Sequence, residues 1–193
     1  MSSSNLLRLG GLAAMLGAVL LVIVGLVQIV LNLFFSNPGA LSEGVMVALY
    51  VRSAFGLLGH ALLALGLVGL YVRHSEDTGT FGIISFLATF LGMALPVGLG
   101  WASVLTDLGW ILFGVASLRS GVYPRVAAIL LIVGAVMVGV FDHLVAPMVG
   151  GPGSTLVYVS VGAEIVRNTA IGWLGYALFS DRTVAVERPQ PAR

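Results

Sequence analysis

From Gly10 to Phe35 the chain carries no charged side chain, a length that a soluble helix with a wet face does not leave uncharged. A helix rises about 1.5 Å per residue, so about 20 apolar residues cross a hydrocarbon core of ~30 Å, in which every backbone group must be paired internally. Met46 to Val72, Arg125 to Val149 and Thr155 to Ser180 meet the same test. Composition agrees: of 193 residues, 59% are hydrophobic and 9% charged, where a water-exposed fold carries about a quarter charged. The sequence therefore predicts an all-α, polytopic transmembrane helix bundle.

The stretch Phe81 to Leu118 is too long for one crossing and barely long enough for two, with Pro96, Gly98 and Gly100 near its middle. Short cytoplasmic loops retain positive residues and short external ones do not. If this stretch is a hairpin turning near Pro96 to Trp101, then Arg8, Arg73, Arg119, Arg125, Arg182, Arg188 and Arg193 share one side, and the opposite loops hold no Arg. A single crossing would set Arg73 opposite Arg119 and Arg125. The expectation is six helices, at about 10–35, 46–72, 81–97, 101–118, 125–149 and 155–180, forming one domain of residues 1–180 with both termini inside. The first segment is too long for a cleaved signal peptide and no small-x-small site follows it. The connecting loops at 36–45, 74–80, 120–124 and 150–154 are short, and the tail 181–193, with Pro189 and Pro191, reads as a disordered cytoplasmic segment. The predicted location is a cell inner, cytoplasmic membrane.

Most of the 26 glycines fall inside the spans, where lipid offers no hydrophobic drive and close backbone approach must supply the contact. Gly10-Ala14-Ala18, Ala135-Gly139 and the pair Gly66 and Gly69 mark such seams. They pack the bundle itself or dock a protein partner or second copy. Leu58-Gly59-His60, Leu108-Gly109-Trp110 and Ile171-Gly172-Trp173 recur on the spans running inward, the outline of three hairpin pseudo-repeats. Leu and Gly are abundant enough for chance to give the same matches.

The embedded polar residues stop at one depth. Counting inward from the external ends at about 1.5 Å per residue, Arg52, Asp107 and Asp142 lie roughly 9 to 10 Å deep and Glu164 roughly 13 Å, with Gln28 at a similar level. Arg167 comes nearer the midplane and His60 deeper still. Residues three and four apart share a helix face, which aligns Ser160, Glu164, Arg167 and Asn168; Arg52, Gly56 and His60; Ser103 and Asp107; Gln28 and Asn32; and Gly139 with Asp142, flanked by His143. An unpaired charge at mid-bilayer costs about 2.5–3.5 kcal/mol on insertion scales, so these groups should face inward and pair. Two Arg against three carboxylates leave one acid to be protonated, solvated or matched by a cation, for which His143 and His60 are available. A carboxyl that keeps its proton is what proton-coupled transport or acid catalysis requires.

Plainer readings stand beside this one. Glu164 and Arg167 suit an intrahelical pair, Arg52 can snorkel to the external interface, His60 suits a core imidazole bonded to a neighbour, and Asp142-His143 suits a solvated cap. The His and carboxylates lack metal-ligand spacing. There is no nucleophile elbow, phosphate loop or dinucleotide fingerprint, so no cofactor is indicated. Zero Cys excludes thiol chemistry. All nine basic residues are Arg, which excludes a Schiff-base pigment, and no basic run points to nucleic acid.

The opening Leu-Arg-Leu-Gly-Gly-Leu-Ala-Ala-Met-Leu-Gly-Ala-Val and the closing Gly-Trp-Leu-Gly-Tyr-Ala-Leu-Phe-Ser resemble those of a loose group of small bacterial six-helix membrane proteins of unassigned function. The three-hairpin plan also resembles that of the small acid-resistance membrane proteins of enteric bacteria, from which no functional residue carries over. Three functions fit the residues. The first binds or moves a small molecule or proton in an externally open polar cavity, with Glu164 titrating and Arg167 and Arg52 holding an anionic part. The second is a non-catalytic subunit of a larger membrane complex. The third is a membrane enzyme whose protonated Asp or Glu acts on a lipid or isoprenoid.

Overall fold

The computed structural model describes residues 3–34, 43–95, 100–149 and 155–180; the outer loops, the turn near Pro96 and Gly98, and the tail 181–193 lie outside these. Every regular element is helical among the described residues: α1 (Ser3–Phe34), α2 (Glu43–Ala94), α3 (Gly100–Ser120), α4 (Arg125–Val140), a π turn (Phe141–Val145), α5 (Ala146–Val149) and α6 (Thr155–Ser180).

One position breaks α2. Gly79 has φ 53 and ψ −139, a region open in practice only to glycine, so the chain turns there and a second helical arm begins at Thr80. The expected inner loop from His74 to Thr80 is a correction: helix runs through Thr78 and only Gly79 departs. Thr78 and Ser75 hydroxyls bond back to the carbonyls of His74 and Val72, keeping the polar segment helical to its end. The stretch after Gly79 folds as two arms packed antiparallel. A Cβ on Gly92 would meet Thr106, and one on Gly109 would meet Thr89.

Glycine and alanine set the remaining neighbours. Gly10 lies against Gly69, Gly17 against the Gly59 carbonyl, and Gly66 against the Ala14 backbone, where an added Cβ would stand 2.5 Å from the Ala14 nitrogen. These pairs bring α1 and the first arm of α2 together antiparallel. Gly11 meets the Gly175 carbonyl and Gly25 meets Ile165, seating α6 on the other side of α1. Gly134 touches the Arg167 backbone and Gly114 touches Ile132, so α4 bridges α6 and α3. The seams read from Gly10-Ala14-Ala18 and from Gly66 and Gly69 are thus used within the chain.

The core fills the inner half of the bundle with Leu67, Leu70, Phe113, Leu131, Leu174 and Leu178, with Trp110 beside Phe113. Tyr123, in the turn that follows Gly121 (φ 65), donates to the Leu70 carbonyl at 2.8 Å. His74 is fully buried beside Phe113 and Tyr123, and its Nδ1–H donates to the same carbonyl at 2.8 Å. Arg119 lies over the Phe81 ring and Arg8 over Phe179.

The outward surface is apolar. On α1 the exposed side chains are Leu9, Leu16, Val19, Ile23, Leu26 and Val30, while Ala14, Ala18 and Leu21 are buried. Small residues in and large apolar residues out is the arrangement of a chain solvated by lipid. Four helical stretches, Asn5–Leu33, Gly44–Ala94, Trp101–Ser120 and Arg125–Met148, are long and apolar enough to cross a membrane. The chain is a membrane protein on this ground. Helix α6 is not among the four; Glu164, Arg167 and Asn168 interrupt its apolar run.

Candidate functional site

The polar groups of α1, α2, α3, the π turn and α6 meet in the half of the bundle away from Arg8 and Arg119. Asp107 is buried on α3 and takes two partners. Arg167 Nη1 donates to its Oδ1 at 2.6 Å and His143 Nε2 lies 3.2 Å from its Oδ2. The Arg167 and Asp107 side chains are 11% and 7% exposed, so the pair is nearly dry. Gly139 on α4 faces the pair: a Cβ there would stand at ordinary contact distance, 3.7 Å from the Asp107 Cβ and 3.9 Å from Oδ2. The intrahelical pair with Glu164, one of the plainer readings of the spacing, is not the contact that Arg167 makes. Arg167 bonds across to α3, because the close approach of α6 to Gly134 aims its side chain at Asp107 rather than along its own helix.

The π turn has a local cause. Pro147 has no N–H and its ring crowds the carbonyl four residues back, so the Ala146 N–H bonds instead to the Phe141 carbonyl, five residues back. Widened turns of this kind inside helices occur frequently at functional sites. Here the turn sends neighbouring side chains to different helices. His143 meets Asp107 on α3, while Asp142 accepts a hydrogen bond from the Ser160 hydroxyl on α6.

Beside the buried pair lies a cavity of about 220 Å³, whose polar lining is Gln28, Arg52, Asp142, Ser160 and Glu164 and whose apolar lining includes Val24, Phe141 and Val161. The Gln28 side-chain amide donates to Asn32 Oδ1 at 2.8 Å. Arg52 Nε is buried with no hydrogen-bond partner, and among the described residues no ion pair joins Arg52 to Asp142 or Glu164.

Two expected groups sit differently. His60 is exposed rather than in the core, its Nδ1–H donating to the Gly56 carbonyl of its own helix at 2.8 Å. Asn168 is buried behind Arg167, with Oδ1 unpartnered. Helical spacing had set Ser160 on one face with Glu164, and the structure turns its hydroxyl to Asp142. His74 was passed over as a loop residue.

Comparison with protein-family models, with curated proteins and with solved structures returns no match. What the site can do chemically follows from its own groups. A guanidinium and two carboxylates face one small cavity, and a third carboxylate is already occupied by Arg167 and His143.

Proposed function

We propose that this is an inner-membrane protein of six crossings, both termini cytoplasmic, which binds or transports a small molecule or proton in a polar cleft of its external half. Support for the crossings comes from the break at Gly79, the antiparallel packing of the arm after it against α3, and the Arg-free stretches opposite Arg8, Arg73, Arg119 and Arg125. One observation carries the functional reading: Arg52, Asp142 and Glu164 line one cavity without pairing to each other. Buried charges that serve structure alone pair directly, as Asp107 and Arg167 do. Arg52 and Glu164 are half-buried and Asp142 is exposed, so the three present both signs of charge to one space that a small molecule can enter, which favours a small molecule over a proton alone.

The zero cysteine count allows both halves to be tested cleanly. Single cysteines replacing Arg8 or Arg125 should react with impermeant maleimide only from the cytoplasmic face, and Ser154→Cys only from outside; mixed accessibility would refute six crossings. In proteoliposomes, Arg52→Gln and Glu164→Gln should each weaken binding or flux of charged solutes while leaving the folded protein intact. Unchanged flux, together with loss of a copurifying protein, would instead identify a subunit of a larger complex.

A further inference from the structure

We propose that the cleft's ligand is a zwitterion of headgroup size: one molecule whose anionic group sits on Arg52 and whose ammonium sits between Asp142 and Glu164. The inference deepens the binding reading above and rests on it. Three observations carry it beyond a polar cavity.

The first is opposition of charge. Arg52 enters from α2 and the two acids from the π turn and α6, so the cavity has a cationic wall and an anionic wall. A simple anion would satisfy Arg52 and face two carboxylates; a simple cation would satisfy the acids and face a guanidinium. Either leaves a like charge across a small void, where such juxtaposition is unfavourable. A ligand with both signs satisfies both walls.

The second is the unfilled donor. Nε is buried and unpartnered in both embedded guanidiniums, but Arg167 is committed through Nη1 to Asp107, while among the described residues Arg52 has no ion pair with either acid of the cavity. A guanidinium presents its donors in a planar fork that matches a carboxylate or phosphate, so Arg52 is the group prepared for an anionic moiety.

The third is size and access. About 220 Å³ is the space of roughly seven waters and below the roughly 300 Å³ at which drug-sized pockets begin. It holds an amino acid, a betaine or a phosphoethanolamine group. The cleft is open to the outside of the bundle rather than sealed, and Asp142 on its wall is exposed. A ligand can therefore enter as a free zwitterion or as the headgroup of a lipid, the two sources of one chemistry.

The test is thermal stabilisation and calorimetric binding of the full chain in lipid-free micelles. The soluble probes are glycine betaine, glycine and glycerophosphoethanolamine, against acetate, methyl phosphate and ethanolamine as single-charge halves. Phosphatidylethanolamine, added as mixed micelles against phosphatidylglycerol, forms the lipid arm. At least one zwitterion is expected to bind about tenfold or more tighter than either half, since a charge-assisted contact typically carries that factor. Binding by the lipid but not the soluble headgroup assigns the membrane as source; the reverse assigns a free solute. Arg52→Gln should remove the preference for the zwitterion over ethanolamine, and Glu164→Gln the preference over methyl phosphate. Ala146→Leu, which narrows the cleft from its own lining without touching a charge, should weaken all probes even if a charge variant fails to fold. Equal binding of a single-charge probe and the zwitterions would overturn the inference while leaving a binding cleft. Silence from every probe would overturn both.

Discussion

Removing either side of the Asp107–Arg167 pair should destabilise the bundle, and removing both should restore it. The side chains are 11% and 7% exposed and meet at 2.6 Å, so solvent screens them little. Breaking one partner of a buried pair typically costs about 3–5 kcal/mol, whereas replacing both by apolar groups of similar volume is often neutral. The structure orders the single variants. In Arg167→Met the carboxylate of Asp107 keeps His143 at 3.2 Å, which places the loss near 3 kcal/mol on that scale, about a hundredfold in the folding equilibrium. In Asp107→Leu the guanidinium loses its acidic partner, and its Nε is already buried without one, so the loss belongs near the upper end of the range. The double variant should fall within about 1 kcal/mol of the parent, giving a coupling of several kcal/mol. Equilibrium unfolding in micelles, followed by tryptophan fluorescence with Trp110 buried in the core, measures all four corners of the cycle. Additive single losses, or a milder effect of Asp107→Leu than of Arg167→Met, would refute the assignment of this pair as a dry, direct contact.

Other substitutions probe the scaffold. Gly66→Leu, whose Cβ would stand 2.5 Å from the Ala14 nitrogen, should force α1 from α2 and lose about 1–3 kcal/mol or more in the same unfolding assay. Gly162→Ala, with nothing within 4 Å, should be neutral or stabilise by up to about 1 kcal/mol. Gly79→Ala places a side chain at φ 53 and should cost about 1–3 kcal/mol, read as a lowered midpoint. Tyr123→Phe removes the hydroxyl that reaches Leu70 and should cost about 1 kcal/mol, with faster hydrogen exchange in the 121–124 turn as its signature.

Much of this architecture is legible in residues alone. Hydropathy sets the long helices, and the Arg pattern divides Phe81 to Leu118 into two arms. The common depth of Gln28, Arg52, Asp107, Asp142 and Glu164 anticipates their meeting, because side chains at one level of a bundle have only the interior in which to be neutralised. Partner choice was not legible. Helical spacing permits both Glu164 and a residue on another helix as the mate of Arg167; the choice depends on how closely α6 approaches Gly134, a distance that no periodicity encodes. His74 was hidden for a similar reason. A polar run, His74-Ser75-Glu76-Asp77, looks like a loop, yet hydroxyl-to-carbonyl bonds and an aromatic enclosure keep it helical. Pro147 was the cue to the widened turn at Phe141–Val145, but a proline alone does not tell a kink from a π turn.

That turn gives the molecule an unusual mutational handle. It holds one more residue than the helical screw needs at that point, so deleting Leu144 would let the segment close as regular α-helix with its flanks in phase, re-aiming only the side chains of the turn and changing no charge. Asp142 and His143 would lose their separate allegiances to α6 and α3, and the ion-paired layer would come apart from the cavity beside it. A shortened chain of this kind would separate the two halves of the site more gently than replacing any of the acids.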